Sequence, residues 1–145
     1  FLGSMPPESV RTYMEESEIF IATSDQNEGW GATVNEAMSS ACTVVASHAI
    51  GAVPFLIKDG MNGLVFQSKN SQALYEGVKW LVDNPAERKR IAREAYFTMK
   101  NEWCAETASK NFIQLAKALT VGEESPIQHG PCSKAPIINH TNKLF

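Results

Sequence analysis

The sequence predicts an α/β chain: part of a Rossmann-like three-layer sandwich with a short parallel sheet, followed by C-terminal helices. Three observations predict it. Short apolar runs at Ile19–Ala22, Thr43–Ala46 and Leu64–Phe66 alternate with stretches of helical periodicity, the pattern of layered α/β domains. The run Thr43-Val-Val-Ala46 is β-branched and continuously apolar, which suits a central parallel strand covered on both faces. After Phe66 the strand-like runs stop and amphipathic helical periods continue to about residue 120.

The first helix starts near Pro6-Pro7, because a proline at the opening position loses no hydrogen bond there; Val10, Tyr13 and Met14 give it an apolar face. The strand Ile19–Ala22 follows, then a helix over 31–40 with Val34, Ala37, Met38 and Ala41 on one side. Cys42 opens the next strand as a small apolar filler. Val53–Ile57 forms a short helix or a turn, Lys58-Asp59-Gly60 is turn chemistry, and Asn62-Gly63 is a turn leading into the strand Leu64–Phe66. Ser71–Val82 places Leu74, Val78, Leu81 and Val82 on one face. Asn84-Pro85-Ala-Glu87 is a helix start, with Asn as cap, Pro at the first position and Glu three after the cap. Ile91, Ala95 and Met99, with Ala92 and Tyr96 alongside, continue that helix to about Asn101. A last helix, Ala105–Leu119, turns Ala108, Phe112, Leu115, Ala116 and Leu119 inward. Trp80 and Trp103 fall in helical segments and are read as packing residues. Residues 1–120 are expected to form the Rossmann-like unit. From Val121 to Phe145 the chain is irregular, ordered only where it docks on a partner surface.

The chemistry concentrates between the first strand and the second helix. Glu28 and Glu36 bracket the turn Gly29-Trp30-Gly31 and the helix opening Ala32-Thr33-Val34. A strand, a glycine-rich turn and a helix N-terminus bring backbone N–H groups and the positive end of the helix dipole to one place, which favours a phosphate. Gly29 and Gly31 let a ligand approach the backbone closely. Glu28 stands in the mouth of the turn and Glu36 about two helical turns further on, so each carboxylate can reach one end of a phosphate-bearing ligand. Trp30 either stacks on a sugar or plugs the loop onto the sheet. Ser24 ends the strand or bonds a phosphate, the former being favoured. His48 is read as a solvated loop histidine, with a crevice contact as the alternative. Ligands of open α/β sheets bind beyond the carboxyl ends of the strands, so the glycine turn and the loop 47–52 should face the same crevice.

This stretch resembles the Glu-(seven residues)-Glu signature of retaining GT-B glycosyltransferases of family 4, group 1. The likeness rests on Thr23-Ser24, Glu28-Gly29-Trp30-Gly31 and Glu36-Ala37-Met38, then on the buried strand from Cys42, the loop Gly51-Ala-Val-Pro54 and the turn Asp59-Gly-Met-Asn62-Gly63. Phe55 departs from it, standing where many relatives carry Glu. The resemblance implies that Glu28 contacts the hydroxyls of the donor sugar, Glu36 the ribose of the nucleotide, and the backbone of Gly29, Trp30, Gly31, Ala32, Thr33 and Val34 the diphosphate. It implies transfer of a hexose-like unit from a nucleoside diphosphate sugar to an acceptor hydroxyl, with retention, without a metal and with no cofactor beyond the donor. The resemblance covers only the donor-binding half of such an enzyme. The chain is therefore read as a fragment, inactive alone, lacking the N-terminal acceptor-binding domain and the Arg/Lys pair that neutralises the leaving diphosphate; Arg11 lies on what reads as a solvent-facing helix. The rival readings are a non-catalytic nucleotide-sugar-binding module and a GT-B-like sugar-nucleotide epimerase.

Composition bounds these readings. The 145 residues are 43% apolar and 20% charged, with a formal net charge of −3, ordinary for one globular domain. Nucleic acid is not an expected partner, because the densest cationic run, Arg88-Lys89-Arg90 with Arg93, is interleaved with Glu87 and Glu94 and reads as a solvated face. Cys42, Cys104 and Cys132 are odd in number and widely spaced, implying neither a disulfide framework nor a zinc site. A cytoplasmic location is expected, at most peripheral to a membrane. Asn139-His140-Thr141 is then a chance match to a glycosylation sequon. A sheet truncated on one side would expose an edge, and self-association through that edge is expected.

Overall fold

The structure, a computed structural model, describes residues 2–135. Its elements run α1 (Pro7–Glu16), β1 (Ile19–Ala22), α2 (Ala32–Ser39), β2 (Thr43–Ser47), α3 (Val53–Leu56), β3 (Leu64–Phe66), α4 (Ser71–Asp83), α5 (Pro85–Asn101) and α6 (Ala105–Thr120). The three strands form one parallel sheet in the order β1-β2-β3, with Ile19 beside Thr43 and Val45 beside Leu64. Every residue of β2 is buried, as a central parallel strand between two helical layers must be.

Strand alternation divides the interior into two cores. Val44 and Ala46 face one core, with Val34, Ala37 and Met38 of α2, Val53 and Leu56 of α3, and Ala95 and Met99 of α5. Val45 faces the other, with Phe66 of β3, Leu81 of α4 and Ile91 of α5. One element of three layers thus contributes successive side chains to opposite faces. The Cys42 thiol donates to Met14 O at 2.9 Å, tying α1 to the start of β2, and burial pushes this thiol's pKa up. Among the described residues no helix is long and apolar enough to cross a membrane.

Several expected faces are corrected. Ala41 is not on α2; it sits exposed just past the helix at φ 58°. Tyr13 and Val82 are exposed at 46% and 57%, so α1 packs through Val10 and Met14, and α4 through Leu74, Val78 and Leu81. On α6 the expected apolar face is mostly outward: Phe112 and Leu119 are 64% and 61% exposed and Ala116 is exposed too, while Ala118 is buried. Trp80 is 42% exposed. Trp103 lies in the turn between α5 and α6 rather than in a helix. Asn84 opens α5 without a side-chain cap; its amide instead donates to Trp80 O at the end of α4, and Glu87 pairs with Arg90. The basic run is not simply a solvated face either. The Arg88 side chain is only 12% exposed, reaching Glu18 and Leu81 O, and Arg90 donates to Gly60 O and Met61 O.

Residues 121–135 form neither helix nor strand. Ile127 is nevertheless buried, and Asn111 Nδ2 donates to Pro131 O, so this stretch lies against α6 of its own chain. The sequon Asn139–Thr141 lies outside the described residues.

Candidate functional site

β1 ends at Ala22, and the chain leaves the sheet through Thr23–Trp30 before entering α2. Gly31 is the N-cap of α2 at φ 82° and ψ 58°, and no side chain caps the helix. An added Cβ on Gly31 would lie 2.5 Å from Ile50 Cγ2, so both its conformation and its surroundings require glycine. Within the turn, Glu28 N–H donates to Asp25 O at 3.0 Å and Val34 N–H donates to Gly31 O at 2.9 Å. Between them, the amides of Gly29, Trp30, Gly31, Ala32 and Thr33 have no hydrogen-bond acceptor among the described residues. Val34 does not join that set: its amide is engaged and its side chain is fully buried. The result is a run of unpaired donors at a helix N-terminus with an unfilled cap, the arrangement that attracts an anion.

The turn is held from below. A Cβ on Gly51 would lie 1.9 Å from Gly29 O, which places the two loops in direct contact, and Ala52 N–H donates to Trp30 O at 2.8 Å. The loops after β1 and β2 therefore meet, as the strand-end argument requires. Trp30 donates its Nε1–H to Asn35 Oδ1 at 2.8 Å, and its ring packs 5.4 Å from Phe55 and 5.8 Å from Trp103. Phe55 in turn meets Trp103 edge-on at 6.2 Å, a pairing that suits aromatic quadrupoles. Trp30 thus packs on Phe55 and Trp103 while remaining 40% exposed, and Phe55 supplies that aromatic partner at the position where it departs from the resemblance.

The two glutamates are both exposed, and each borders a hollow. Glu28 borders a hollow of about 540 Å³ with Thr23, Ser24, Asp25, Asn27, Ser68 and Lys69. Glu36 borders a groove of about 590 Å³ between α1 and α2, with Met5, Val10 and Met14 as its apolar side and Arg11, Asn35 and Ser39 as its polar side. The start of α2 separates them in the chain. Arg11, which pairs with Glu15 at 2.7 Å, borders the groove of Glu36 rather than facing open solvent alone.

His48 Nδ1 accepts the Ser68 N–H at 2.9 Å, and the His48 amide donates to Phe66 O at 2.9 Å. It braces the loop after β2 against the loop after β3. Lys69, on that second loop, shares the hollow of Glu28. Sequence reading missed it. The only available signal was its place at the carboxyl end of a strand, where ligands of such sheets bind.

Residues 1–97 match the family described as glycosyl transferases, group 1. A D-inositol 3-phosphate glycosyltransferase of Corynebacterium urealyticum is 26% identical over 137 residues, which is 93% of this chain and 31% of that protein. The chain thus spans about a third of the length of that curated relative. Among solved structures, the C-terminal domain of a glycosyl transferase group 1 family protein, LpcC, from Francisella tularensis superposes with a TM-score of 0.64 and 30% identity, covering 69% of this chain and 51% of that one. Anabaena Alr3699/HepE in complex with UDP-glucose superposes with a TM-score of 0.62 at 24% identity, covering 75% of this chain and 29% of that one, a likeness of fold.

Proposed function

The chain belongs to the group 1 glycosyl transferases, and from that premise we propose that it is the donor-binding part of a retaining hexosyltransferase that uses a nucleoside diphosphate sugar. The observation that carries the proposal is the run of unpaired amides from Gly29 to Thr33, with Glu28 at one end and Glu36 beyond the other. The diphosphate lies on those amides, where donors fixed before the reaction stabilise an anion without reorganising. The ribose meets Glu36, whose carboxylate accepts from vicinal hydroxyls, and the base lies along the apolar side of the groove formed by Met5, Val10 and Met14. The sugar lies in the hollow of Glu28. A hollow beside Glu28 and a groove beside Glu36 suit this reading, because a nucleoside diphosphate sugar carries hydroxyls on its sugar and its ribose and is anionic between them.

In the whole enzyme the bond from the anomeric carbon to the diphosphate oxygen breaks, and negative charge grows on the leaving diphosphate. The amides face that charge. Glu28 holds sugar hydroxyls in place and acts by positioning rather than as a covalent nucleophile. The acceptor hydroxyl and its recognition belong to a part of the enzyme outside this chain, so the chain alone binds donor without turnover.

Two measurements test the proposal. Calorimetric titration of this chain with UDP and with GDP should give saturable binding to one of them; no binding of either would overturn the reading. In the whole enzyme, Glu28→Gln should lower turnover by about a hundredfold, with retained anomeric configuration in whatever product forms. Near-normal turnover would remove Glu28 from the site.

A further inference from the structure

The hollow beside Glu28 contains a cation that the motif around the glycine turn does not supply. Lys69 lies on the loop between β3 and α4 and lines the same hollow as Glu28 and Asp25. Its backbone is fixed on both sides: Ser68 N–H donates to His48 Nδ1, and Asn70 accepts the Ala73 N–H as the cap of α4. Lys69 itself stands at φ 65°, in the left-handed region where a glycine or an asparagine meets less steric penalty. It is exposed, so no packing requirement explains a lysine here.

Charge pairing sharpens the point. Asp25 Oδ1 is already occupied, accepting from the amide and the side chain of Asn27 at 2.9 Å each. Neither Glu28 nor Lys69 makes an ion pair among the described residues. The hollow therefore offers the Glu28 carboxylate and the second oxygen of Asp25, which only accept hydrogen bonds, and one ammonium, which only donates them. A hydroxyl does both, so two hydroxyls of one sugar ring satisfy both groups. A carboxylate on the sugar would meet Glu28 and Asp25 against a single lysine.

The geometry points to Lys69 as a specificity-determining residue that reads the donor sugar together with Glu28, and to an uncharged, hydroxylated hexose as the sugar it reads. This rests on the donor-binding reading above and adds to it the second sugar contact and the sugar class.

The test compares nucleoside diphosphates with and without their sugar. This chain and its Lys69→Gly and Lys69→Met variants are titrated with UDP, UDP-glucose, UDP-glucuronate, GDP and GDP-mannose. The unaltered chain should bind one hexose-bearing donor more tightly than the matching bare diphosphate, and UDP-glucuronate no more tightly than UDP. Both variants should lose about tenfold of the hexose-dependent affinity while binding the bare diphosphate as before. Lys69→Gly should also melt no earlier than the unaltered chain, since glycine suits the left-handed position. That separates loss of a contact from loss of the fold. Retention of the full hexose increment in both variants overturns the inference, as does an unaltered chain that gains nothing from the sugar or prefers the glucuronate. Those outcomes leave the diphosphate site standing, whereas failure of UDP and GDP alike to bind removes the donor reading and this inference together.

Discussion

Gly31 and Gly51 show how single residues shape the candidate site, and Asn62 how one residue secures the fold around it. Gly31 and Gly51 are required by contact: one backs onto Ile50 and the other onto the carbonyl of Gly29, so the loops after β1 and β2 close on each other only without side chains there. Asn62 works at a distance from the site, on the turn that precedes β3. It is 4% exposed; its Oδ1 accepts the Lys58 N–H at 2.7 Å, and its Nδ2 donates to Leu56 O at 2.9 Å and Thr98 Oγ1 at 3.0 Å. One amide side chain thus ties the end of α3, the turn and α5 together. Asn62→Ala leaves buried backbone groups without partners, and should destabilise the domain by about 2–3 kcal/mol. Urea unfolding monitored by circular dichroism measures this, and a loss under about 0.5 kcal/mol would show that the network is dispensable. The sequence marked Asn62-Gly63 as a turn. It carried no sign of the bond to Thr98, because nothing local to residue 62 depends on residue 98.

At the level of elements, α6 departs most from its sequence pattern. Helical periodicity placed Ala108, Phe112, Leu115, Ala116 and Leu119 together, and they do lie toward one side, but the domain covers that side only in part. Ala118 is the buried residue of the helix, and Ile113 is 54% exposed beside Phe112. Phe112→Ser should therefore change the thermal unfolding midpoint of this chain little, within about 0.5 kcal/mol of stability. A loss of about 3 kcal/mol or more, typical of a buried aromatic, would place Phe112 in a core. The junction of α4 and α5 teaches a related lesson. Asn84-Pro85-Ala-Glu87 reads as a capping box, yet Asn84 faces back to α4 and Glu87 meets Arg90. Two helices meet at one residue, and a single side-chain amide serves only one of them.

The whole molecule presents an asymmetric sheet. Along β3, Asp59 Oδ1 accepts the Val65 N–H at 2.8 Å, which blocks that edge with a side chain. Along β1 there is no neighbouring strand among the described residues, and Ile21 is 44% exposed. An unblocked edge with an apolar side chain invites another strand. Sedimentation velocity of this chain should show a concentration-dependent shift to larger species, and Ile21→Lys should suppress it; a single monomer species at millimolar concentration would count against the edge as the contact. Two cores lie on either side of β2, and α2, which follows the glycine turn, is packed on the same core as β2 and α5.

The sequence by itself determined the strands, the order of elements and the glycine turn between two glutamates, because period-two and helical patterns and turn residues are local properties of the chain. Gly29 to Thr33 were legible for the same reason, since a strand, two glycines and a helix start follow in direct succession. Only the tertiary structure decided that Glu36 borders a groove against α1, that Lys69 shares a hollow with Glu28, that His48 braces a neighbouring loop and that Arg88 turns inward. Each of those outcomes depends on which elements become neighbours. Periodicity reports which residues share a side of a helix, but what covers that side is set by segments far away in sequence.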